Sequence, residues 1–455
     1  MTGVSEELLS RLRSAVGGAH VLTADLVAGY DTDWTGRWRG RPLAVVRPGT
    51  TGEVREVVLA CAAAGVPLVP QGGNTGLVGA AAPADGEVVL STRRLDAVGV
   101  PDPGTWTLEA GAGATLERVQ QAARAAGLEV GVDLASRGSA SVGGVVATNA
   151  GGARVLRAGT TRQQVLGLEA VLADGSVVTR MSGLPKDNVG YDLVQLLTGS
   201  EGTLGIVTRV LLRVTPRPAA RAVALVALDG MPAAVDLLVA LRAGVAGLDA
   251  VEFLTADGLD VVIAAGRSRA PFPEFAPVHV LAEAVGPDAD PLVDALADAA
   301  GDVDGVRDGA VAATETDRAG LWGLREAQTE ELAPLRPVKL DVAVPVPALA
   351  TFVAELPDVT AAAGGGRPVL FGHLAEGNVH VNVVGVPADR ENAVTDAVLR
   401  LTAAHGGSIS AEHGIGRAKR PWLHLGRSAA DIAAMRAIKA ALDPAGLLSP
   451  GRVLP

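Results

Sequence analysis

The sequence predicts a protein of mixed α and β structure, with an α/β region, an α+β region and a short C-terminal segment. In residues 41–216, short apolar runs alternate with helical patterns, which is the rhythm of βαβ units. After Pro216, apolar runs such as residues 222–228 precede alanine-rich helical stretches such as residues 232–247, which indicates a second, α+β domain. The sequence ends in a loop, a helix around residues 429–442 and a proline-terminated tail.

The first predicted elements lead into a glycine-rich loop. Residues 42–48 are typical of a strand, and residues 66–70 predict a second strand that enters the loop. Between them, residues 51–64 have a helical pattern, with Thr51 as the expected N-cap and Gly65 just past the end. Neither a solenoid repeat nor a coiled-coil heptad pattern is present.

The composition excludes several classes of protein. Of 455 residues, 48% are apolar and 20% charged, so general disorder is not expected. The net charge of −11 argues against nucleic acid as a partner. Cys61, the single cysteine, excludes an internal disulfide framework and a zinc site built from several cysteines.

No membrane span or signal peptide is predicted. The longest uncharged run, residues 57–84, is interrupted by Pro67 and Pro70, so it is not a span of about 20 apolar residues. The N-terminus carries Glu6 and Glu7 and has no apolar core of a signal sequence. We therefore expect a cytoplasmic protein, with docking at a membrane surface left open.

Three glycine-rich stretches are candidates for cofactor contacts. Residues 70–79 follow a predicted strand, so successive backbone amides could face a pyrophosphate; a long surface loop is the plain alternative. Residues 138–152 are uncharged and small, and suit either a cofactor or the close packing of a helix on a sheet. Residues 199–207 form a further glycine turn. A Walker A loop is excluded because none of the four lysines follows a glycine.

These stretches carry a specific resemblance. The order PQGGNTGLVG (70–79), GSASVGGVVATNAGG (138–152), VLGLEAVLADG (165–175) and DNVGYDLVQLLTGSEGTLGIVT (187–208) resembles flavoproteins of the vanillyl-alcohol oxidase type. Within them the chain is most similar to FAD-linked D-2-hydroxyacid dehydrogenases, especially the D-2-hydroxyglutarate dehydrogenases. The similarity covers nearly the whole chain after about Arg41.

The resemblance implies an α+β fold in which a two-subdomain FAD-binding domain is combined with an α+β cap domain over the flavin. It places the FAD domain at 1–218, the substrate- and metal-binding cap at 219–415, and a segment that returns to the FAD domain at 416–455. The implied FAD-binding residues are Gln71, Gly72, Gly73, Asn74, Thr75, Gly76, Leu77, Ser139, Ser141, Gly144, Thr148, Gly151 and Ile206.

The resemblance also bears on how the flavin is attached, and the chain departs from the family pattern at two places. Some relatives attach FAD through a histidine near the pyrophosphate loop, where this chain has Asn74, so a non-covalent flavin is expected. Relatives often have Arg-Tyr-Gly where this chain has Arg157-Ala158-Gly159, and Asn-Pro-Gly-Lys where it has residues 449–452. Individual flavin contacts at these two places are therefore open.

A histidine-rich segment of the cap predicts a β-hairpin. Apolar runs flank Glu376-Gly377, and a loop of those two residues would place His373 opposite His380, about 5 Å apart at Cβ. Alternation would then place Asn382 on the face of His380. Such histidines could share a metal or be satisfied structural residues.

The adjacent Glu412-His413 pair is flanked by glycine. Taken alone it is typical of a solvated turn, but with the two hairpin histidines it completes a set of zinc-type ligands. The resemblance implies that His373, His380 and Glu412 bind a divalent metal and that His413 is the active-site base. Zinc is the first choice, with manganese, iron and cobalt left open.

A third cap segment supplies donors for a carboxylate. Arg325 and Thr329 would share a face if they lie on one helix, and an arginine can bind a carboxylate with two parallel hydrogen bonds. Taken alone, Arg325 suits a surface ion pair. The resemblance implies that Arg325, Thr329 and Lys339 contact substrate, together with Asn382 and His413. The extra donors favour a substrate with a distal carboxylate.

The resulting hypothesis is a dehydrogenase that oxidises a D-2-hydroxy acid, with D-2-hydroxyglutarate as the preferred substrate. A D-lactate or glycolate dehydrogenase on the same scaffold, an O₂-using oxidase and a catalytically silent flavin subunit are the alternatives. A quinone or an electron-transfer flavoprotein would re-oxidise the flavin. The oligomeric state is open, with a homodimer as the working expectation.

Overall fold

The computed structural model describes residues 2–274 and 276–455. The strands are β1 (Val21–Leu22), β2 (Ala44–Val46), β3 (Leu68–Gln71), β4 (Val88–Ser91), β5 (Thr107–Gly111), β6 (Leu128–Val130), β7 (Val165–Val171), β8 (Val177–Arg180), β9 (Ile206–Pro216), β10 (Ala220–Leu228), β11 (Leu248–Thr255), β12 (Val278–Gly286), β13 (Val306–Ala312), β14 (Val338–Ala343), β15 (Arg367–His373) and β16 (Asn378–Val384). The helices are α1 (Thr2–Val16), α2 (Thr51–Ala64), α3 (Leu116–Ala125), α4 (Val142–Thr148), α5 (Val155–Ala158), α6 (Thr161–Gln164), α7 (Leu193–Leu197), α8 (Met231–Gly244), α9 (Ala256–Ala264), α10 (Asp290–Gly301), α11 (Glu315–Glu326), α12 (Gln328–Leu332), α13 (Leu349–Ala363), α14 (Glu391–Ala404), α15 (Leu423–Gly426) and α16 (Ala429–Leu442).

The chain forms two compact units. Unit 1 consists of Met1–Gly152, Gly159–Arg217 and Glu412–Pro455, and unit 2 consists of Ala153–Ala158 and Pro218–Ala411. The C-terminal segment is therefore part of the unit that contains the N-terminal half of the chain. The short segment Ala153–Ala158, which includes α5 and interrupts unit 1 in the sequence, belongs to unit 2.

Unit 1 contains two sheets. The first has the order β1-β2-β4-β3, in which β2, β4 and β3 are parallel. All residues of β2 and β4 are buried, as expected for parallel strands covered on both faces. The second sheet has the order β5-β9-β7-β8, with β6 also paired to β9, and is antiparallel. Each sheet has its own apolar core, with α1 and α2 on the first and α3 and α4 on the second.

Unit 2 is built on one antiparallel sheet of seven strands, in the order β13-β10-β12-β11-β15-β16-β14. Alternate residues of its central strands, such as Leu225, Leu254 and Leu281, form an apolar core with Leu259 of α9 and Leu324 of α11. Helices α9 and α11 therefore cover one face of the sheet, which is the face that carries the polar groups described below.

The helix predicted for residues 51–64 is confirmed, with Gly65 in the left-handed conformation at φ +63° just past its end. The expected N-cap was wrong by one residue. Thr50 is the N-cap and accepts a hydrogen bond from the Glu53 amide, whereas the Thr51 hydroxyl donates to Glu169 Oε1 at 2.6 Å. The predicted helix at residues 429–442 is also confirmed.

One stretch of the described residues, Val346–Ala363, is long and apolar enough to cross a membrane by length and composition alone. It contains Pro357 and two acidic residues. Its Leu349, Phe352 and Leu356 are fully buried within unit 2. The buried residues recur at helical spacing, so one face of the stretch packs against the rest of unit 2, and the stretch is weak evidence for a membrane span.

Arg157, at the first of the two departures from the family pattern, lies in unit 2 and forms an ion pair with the buried Asp249. Asp249 is also bound by Arg154 and, at 2.9 Å, by Arg221. A buried carboxylate needs cationic partners. The contacts of Arg154 and Arg157 with Asp249 therefore attach the segment Ala153–Ala158 to the sheet of unit 2.

Arg452, at the second departure, is a structural residue of unit 1. Its Nη1 and Nη2 donate to the two carboxylate oxygens of Glu87 at 2.5 and 2.7 Å, and Nη2 also donates to the Ala82 carbonyl at 2.6 Å. The two side chains are 1% and 4% exposed. The last residues are therefore fixed to the segment that follows the first glycine loop.

We predict that Arg452→Ala destabilises unit 1 by about 3–5 kcal/mol, because it leaves the buried Glu87 carboxylate without its cation. The expected result is a lower midpoint in urea unfolding followed by circular dichroism. Arg41→Ala is the control, since the Arg41–Asp85 pair lies on the surface, and it should leave the midpoint almost unchanged. Equal midpoints for Arg452→Ala and wild type would contradict this role.

Candidate functional site

The first and second glycine-rich stretches touch each other in unit 1. A Cβ atom on Gly72 would lie 2.0 Å from Ser141 Oγ, and one on Gly73 would lie 1.9 Å from the Ser139 carbonyl oxygen. Both distances are shorter than any real contact. The loop after β3 can therefore approach the Ser139–Ser141 segment only because glycine occupies these two positions.

Side-chain contacts hold the backbone carbonyl groups of this loop. Arg93 donates to the carbonyl oxygens of Gly72 and Gly73 at 3.2 and 3.4 Å. Within the described residues, no hydrogen bond from the amides of residues 72–77 to a protein acceptor is found. Asn74 has φ +58°, and its side chain donates to the Thr32 carbonyl at 2.8 Å. Successive unpaired amides in such a turn suit a pyrophosphate.

The second stretch contains the short helix α4. Its N-cap Ser141 accepts a hydrogen bond from the Gly144 amide at 3.3 Å, and Thr148 Oγ1 donates to the Gly144 carbonyl at 3.0 Å. A Cβ on Gly143 would lie 2.6 Å from that of Ala112, so this glycine serves the packing of the helix on the sheet. Ile206 is 1% exposed and lies in an apolar core.

The other predicted cofactor residues are Gln71, Thr75, Gly76, Leu77 and Gly151, all in unit 1. Gln71 is buried at the end of β3, and its amide donates to the carbonyl oxygens of Tyr30 and Ala81, both at 3.0 Å. It thereby ties the start of the glycine loop to its end.

The Glu412-His413 pair is also held within unit 1. Glu412 Oε2 accepts a hydrogen bond from the Gly152 amide at 2.8 Å, at the end of the second glycine-rich stretch. The potential ligand atoms of Glu412 and His413 lie within 4.8 Å of each other. The acid and the histidine are therefore close enough to act on one group.

Glu201 is a residue of this site that sequence reasoning missed. Its two carboxylate oxygens accept hydrogen bonds from the amides of Ile415 and Gly416, both at 2.8 Å. Burial raises the pKa of its carboxyl group. Glu201 thus fixes the turn that follows His413. Its only sequence signal is its place in the third glycine turn.

In unit 2 the predicted hairpin is present, but the predicted register is wrong. His380 lies opposite Phe371, not His373. The connection is longer than two residues: Leu374–Glu376 form a 3-10 turn and Gly377 is left-handed at φ +66°. A shift of two residues keeps both histidines on one face, and their ring centroids are 5.4 Å apart.

The register of the sheet collects the predicted polar residues on this face. His380 pairs with Asp341 on β14, and Asn382 pairs with Lys339. On the other side of the hairpin, His373 pairs with Glu252 on β11. Because directly opposite residues of antiparallel strands point to the same side, all of these groups share one face.

Each histidine has a carboxylate beside its Nδ1 atom. Glu252 Oε1 lies 2.6 Å from His373 Nδ1, and Asp341 Oδ1 lies 3.6 Å from His380 Nδ1. In metal sites such carboxylates orient the imidazole so that Nε2 binds the ion. The sequence analysis missed both acids. The signal for Glu252 was a single charge inside the apolar run 250–254.

Arg325 is buried rather than part of a surface ion pair. Its Nε donates to Glu252 Oε2 at 2.8 Å, and its guanidinium lies 4.6 Å from the centre of the Phe371 ring. Thr329 does not share its helix, because α11 ends at Glu326 and α12 begins at Gln328. Lys339 Nζ donates to the Thr329 carbonyl at 3.4 Å, which brings these two predicted residues together.

Comparisons with known proteins identify the family of this chain. The family model described as "FAD linked oxidases, C-terminal domain" matches residues 217–453, and the one described as "FAD binding domain" matches residues 42–180. This chain belongs to the FAD-linked oxidases. The family predicted from the sequence motifs is therefore confirmed, and so is the prediction of a flavin-dependent oxidoreductase.

Among curated relatives, the D-2-hydroxyglutarate dehydrogenase of Xanthomonas citri pv. viticola is 42% identical over 434 residues, which cover 93% of this chain and 92% of the relative. The mitochondrial D-2-hydroxyglutarate dehydrogenase of Danio rerio is 36% identical over 462 residues, covering 99% of this chain and 86% of the relative.

Two solved structures confirm the predicted fold class. A p-cresol methylhydroxylase with substrate bound superimposes with a TM-score of 0.79 at 18% identity, covering 100% of this chain and 97% of that chain. The 4-ethylphenol oxidase of Gulosibacter chungangensis gives a TM-score of 0.79 at 20% identity, with 100% and 98% covered.

We predict that Gly73→Ala lowers the amount of FAD bound by the purified protein. The added methyl group would overlap the Ser139 carbonyl, and such overpacking costs about 1–3 kcal/mol in the loop that is expected to bind the pyrophosphate. The ratio of flavin absorbance to protein absorbance measures the effect. Gly18→Ala is the control, because no atom lies within 4 Å of a Cβ there. A wild-type flavin ratio in Gly73→Ala would argue against this loop as the pyrophosphate site.

Proposed function

We propose that this chain is an FAD- and metal-dependent D-2-hydroxyacid dehydrogenase that oxidises D-2-hydroxyglutarate to the 2-oxo acid. The observation that carries the proposal is the sheet face of unit 2, which collects His373, His380, Asn382 and Lys339 with Arg325 beside them. The names of the relatives support the choice of substrate.

We propose His373, His380 and Glu412 as the metal ligands. Two imidazoles and a carboxylate are a donor set that suits zinc and other divalent first-row metals. The Glu252 carboxylate, 2.6 Å from His373 Nδ1, supports binding of that imidazole through Nε2. Ala411, the residue before Glu412, donates its amide to Asp341 at 3.1 Å. A metal held by His373, His380 and Glu412 would supply Lewis acidity, which would lower the pKa of the substrate hydroxyl.

His413 is the proposed general base, which takes the proton of the C2 hydroxyl group. It follows the proposed ligand Glu412 directly in the chain, and Glu201 fixes the turn after it. FAD, the cofactor of the family, supplies the hydride acceptor. The loop of residues 72–77 and the segment from Ser139 to Gly151 would hold the FAD.

We assign the binding of the substrate carboxylates to the cationic and amide side chains on the polar face of the unit 2 sheet. The bond from Arg325 Nε to Glu252 fixes the plane of the guanidinium, and a fixed guanidinium favours the two-bond recognition of a carboxylate. Lys339 lies opposite Asn382 in the sheet. Together with Thr329, these residues supply more donors than a monocarboxylate needs, which favours a dicarboxylate.

We predict that anaerobic mixing of the purified protein with D-2-hydroxyglutarate bleaches the oxidised-flavin absorbance rapidly. Removal of the metal with a chelator should slow the bleaching, and added zinc should restore it. D-lactate is the matched control, because it has the 2-hydroxy acid group without the distal carboxylate, and it should react more slowly at equal concentration.

Two results would contradict the proposal. Faster bleaching with D-lactate than with D-2-hydroxyglutarate would move the assignment to a monocarboxylate dehydrogenase. Bleaching that is indifferent to chelators, with hydrogen peroxide formed in air, would indicate an oxidase without a metal.

We predict that His413→Asn lowers kcat about 100- to 10,000-fold, the usual contribution of a general base, while FAD stays bound. Steady-state kinetics and the flavin spectrum of the same preparation measure the two effects. His424→Asn is the control, since His424 contacts the Pro421 carbonyl on the surface. A kcat for His413→Asn within a few-fold of wild type would refute the assignment of the base.

A further inference from the structure

We propose that Glu252 is a positioning residue that couples the substrate-binding arginine to a metal-binding histidine. One carboxylate oxygen contacts His373 Nδ1 at 2.6 Å, and the other accepts from Arg325 Nε at 2.8 Å. Because those two residues are assigned to the metal and the substrate, this inference rests on the proposed function.

The backbone fixes Glu252 at this place. It lies on β11, in the interior of the seven-stranded sheet, where it pairs with Leu281 on one side and with His373 on the other. Its side chain is 1% exposed. A carboxylate in such surroundings is stable only when both oxygens are paired, so its two contacts are structural requirements as well as functional ones.

The contact with His373 determines which ring nitrogen of the imidazole carries the proton. An ionised carboxylate can only accept hydrogen bonds, so it favours the tautomer with the proton on Nδ1 and leaves the Nε2 lone pair for a metal. The contact with Arg325 offsets the charge of the same carboxylate, while the guanidinium is held over the Phe371 ring. Glu252 thereby sets the tautomer of one residue and the orientation of the other.

Helix α11 has a second, separate attachment. Trp322, three residues before Arg325, donates its ring N–H to Glu283 Oε2 at 2.6 Å. The helix therefore stays attached to the sheet when the Glu252 contact is lost. A defect in a Glu252 variant can thus be assigned to the positions of the two side chains rather than to the release of the helix.

The decisive variant is Glu252→Gln, which keeps the shape but replaces one acceptor oxygen with a donor NH₂. If that NH₂ group faces His373, it donates to Nδ1 and the imidazole proton must move to Nε2. If it faces Arg325, the NH₂ group and the Arg325 Nε–H group are both donors and cannot form a hydrogen bond. We expect zinc affinity to fall about 10- to 100-fold, as for other residues that orient metal ligands. We also expect a higher KM for D-2-hydroxyglutarate with unchanged flavin content.

Zinc affinity is measured by competition with a chromogenic chelator, and KM by steady-state kinetics. Glu355→Gln is the matched control, because Glu355 likewise contacts a histidine, His405 Nε2, at 3.0 Å, and His405 is not one of the proposed ligands. It should change neither quantity. If Glu252→Gln does not yield folded protein, Glu252→Asp replaces it, and its shorter side chain should weaken both contacts to an intermediate degree.

The outcomes separate this inference from the proposed function. Wild-type zinc affinity and KM in a folded Glu252 variant, even one with a lower melting temperature, would overturn the inference and reduce Glu252 to a structural role. If the wild-type protein does not oxidise D-2-hydroxyglutarate, the proposed function fails. In that case the zinc competition alone decides the inference, because it requires no substrate.

Discussion

Buried carboxylates that must be paired determine the arrangement of unit 2. Glu252 and Asp341 are at most 1% exposed on the polar face of the sheet. Desolvation of an unpaired carboxylate costs several kcal/mol, so each of these acids requires donors within reach. Arg325 and His373 meet this need for Glu252, and Asn378 with the Ala411 amide meets it for Asp341. The proposed site residues are therefore held in place by the same contacts that make the fold stable.

Unit 1 depends on a different constraint, which is the close approach of backbone to backbone. Gly72 and Gly73 lie so near the Ser139–Ser141 segment that a methyl group on either would overlap it. The polar side chains near the loop bind carbonyl groups, as Arg93 and Gln71 do, and the loop amides remain for a ligand. The proposed FAD site in this unit therefore depends on glycine positions more than on charged side chains.

The sequence could predict the elements with strong local signals, but not the contacts made across the fold. The helix at residues 51–64 was predictable because its start and its left-handed glycine are local features. The register of the hairpin was not, because a 3-10 turn and a two-residue turn are both compatible with Leu374–Gly377. The break between Arg325 and Thr329 was hidden by good helix formers on both sides. Glu252, Asp341 and Glu201 gain their roles only from partners distant in the chain.

The discontinuous path of the chain has a consequence for the order of synthesis. Unit 2 is almost one continuous segment, whereas unit 1 is assembled from three segments, the last of which begins at Glu412. The Arg452–Glu87 pair joins residues 365 positions apart. A growing chain on the ribosome can therefore form the sheet of unit 2 while unit 1 still lacks its third segment. The part of the molecule that is synthesised first is completed last.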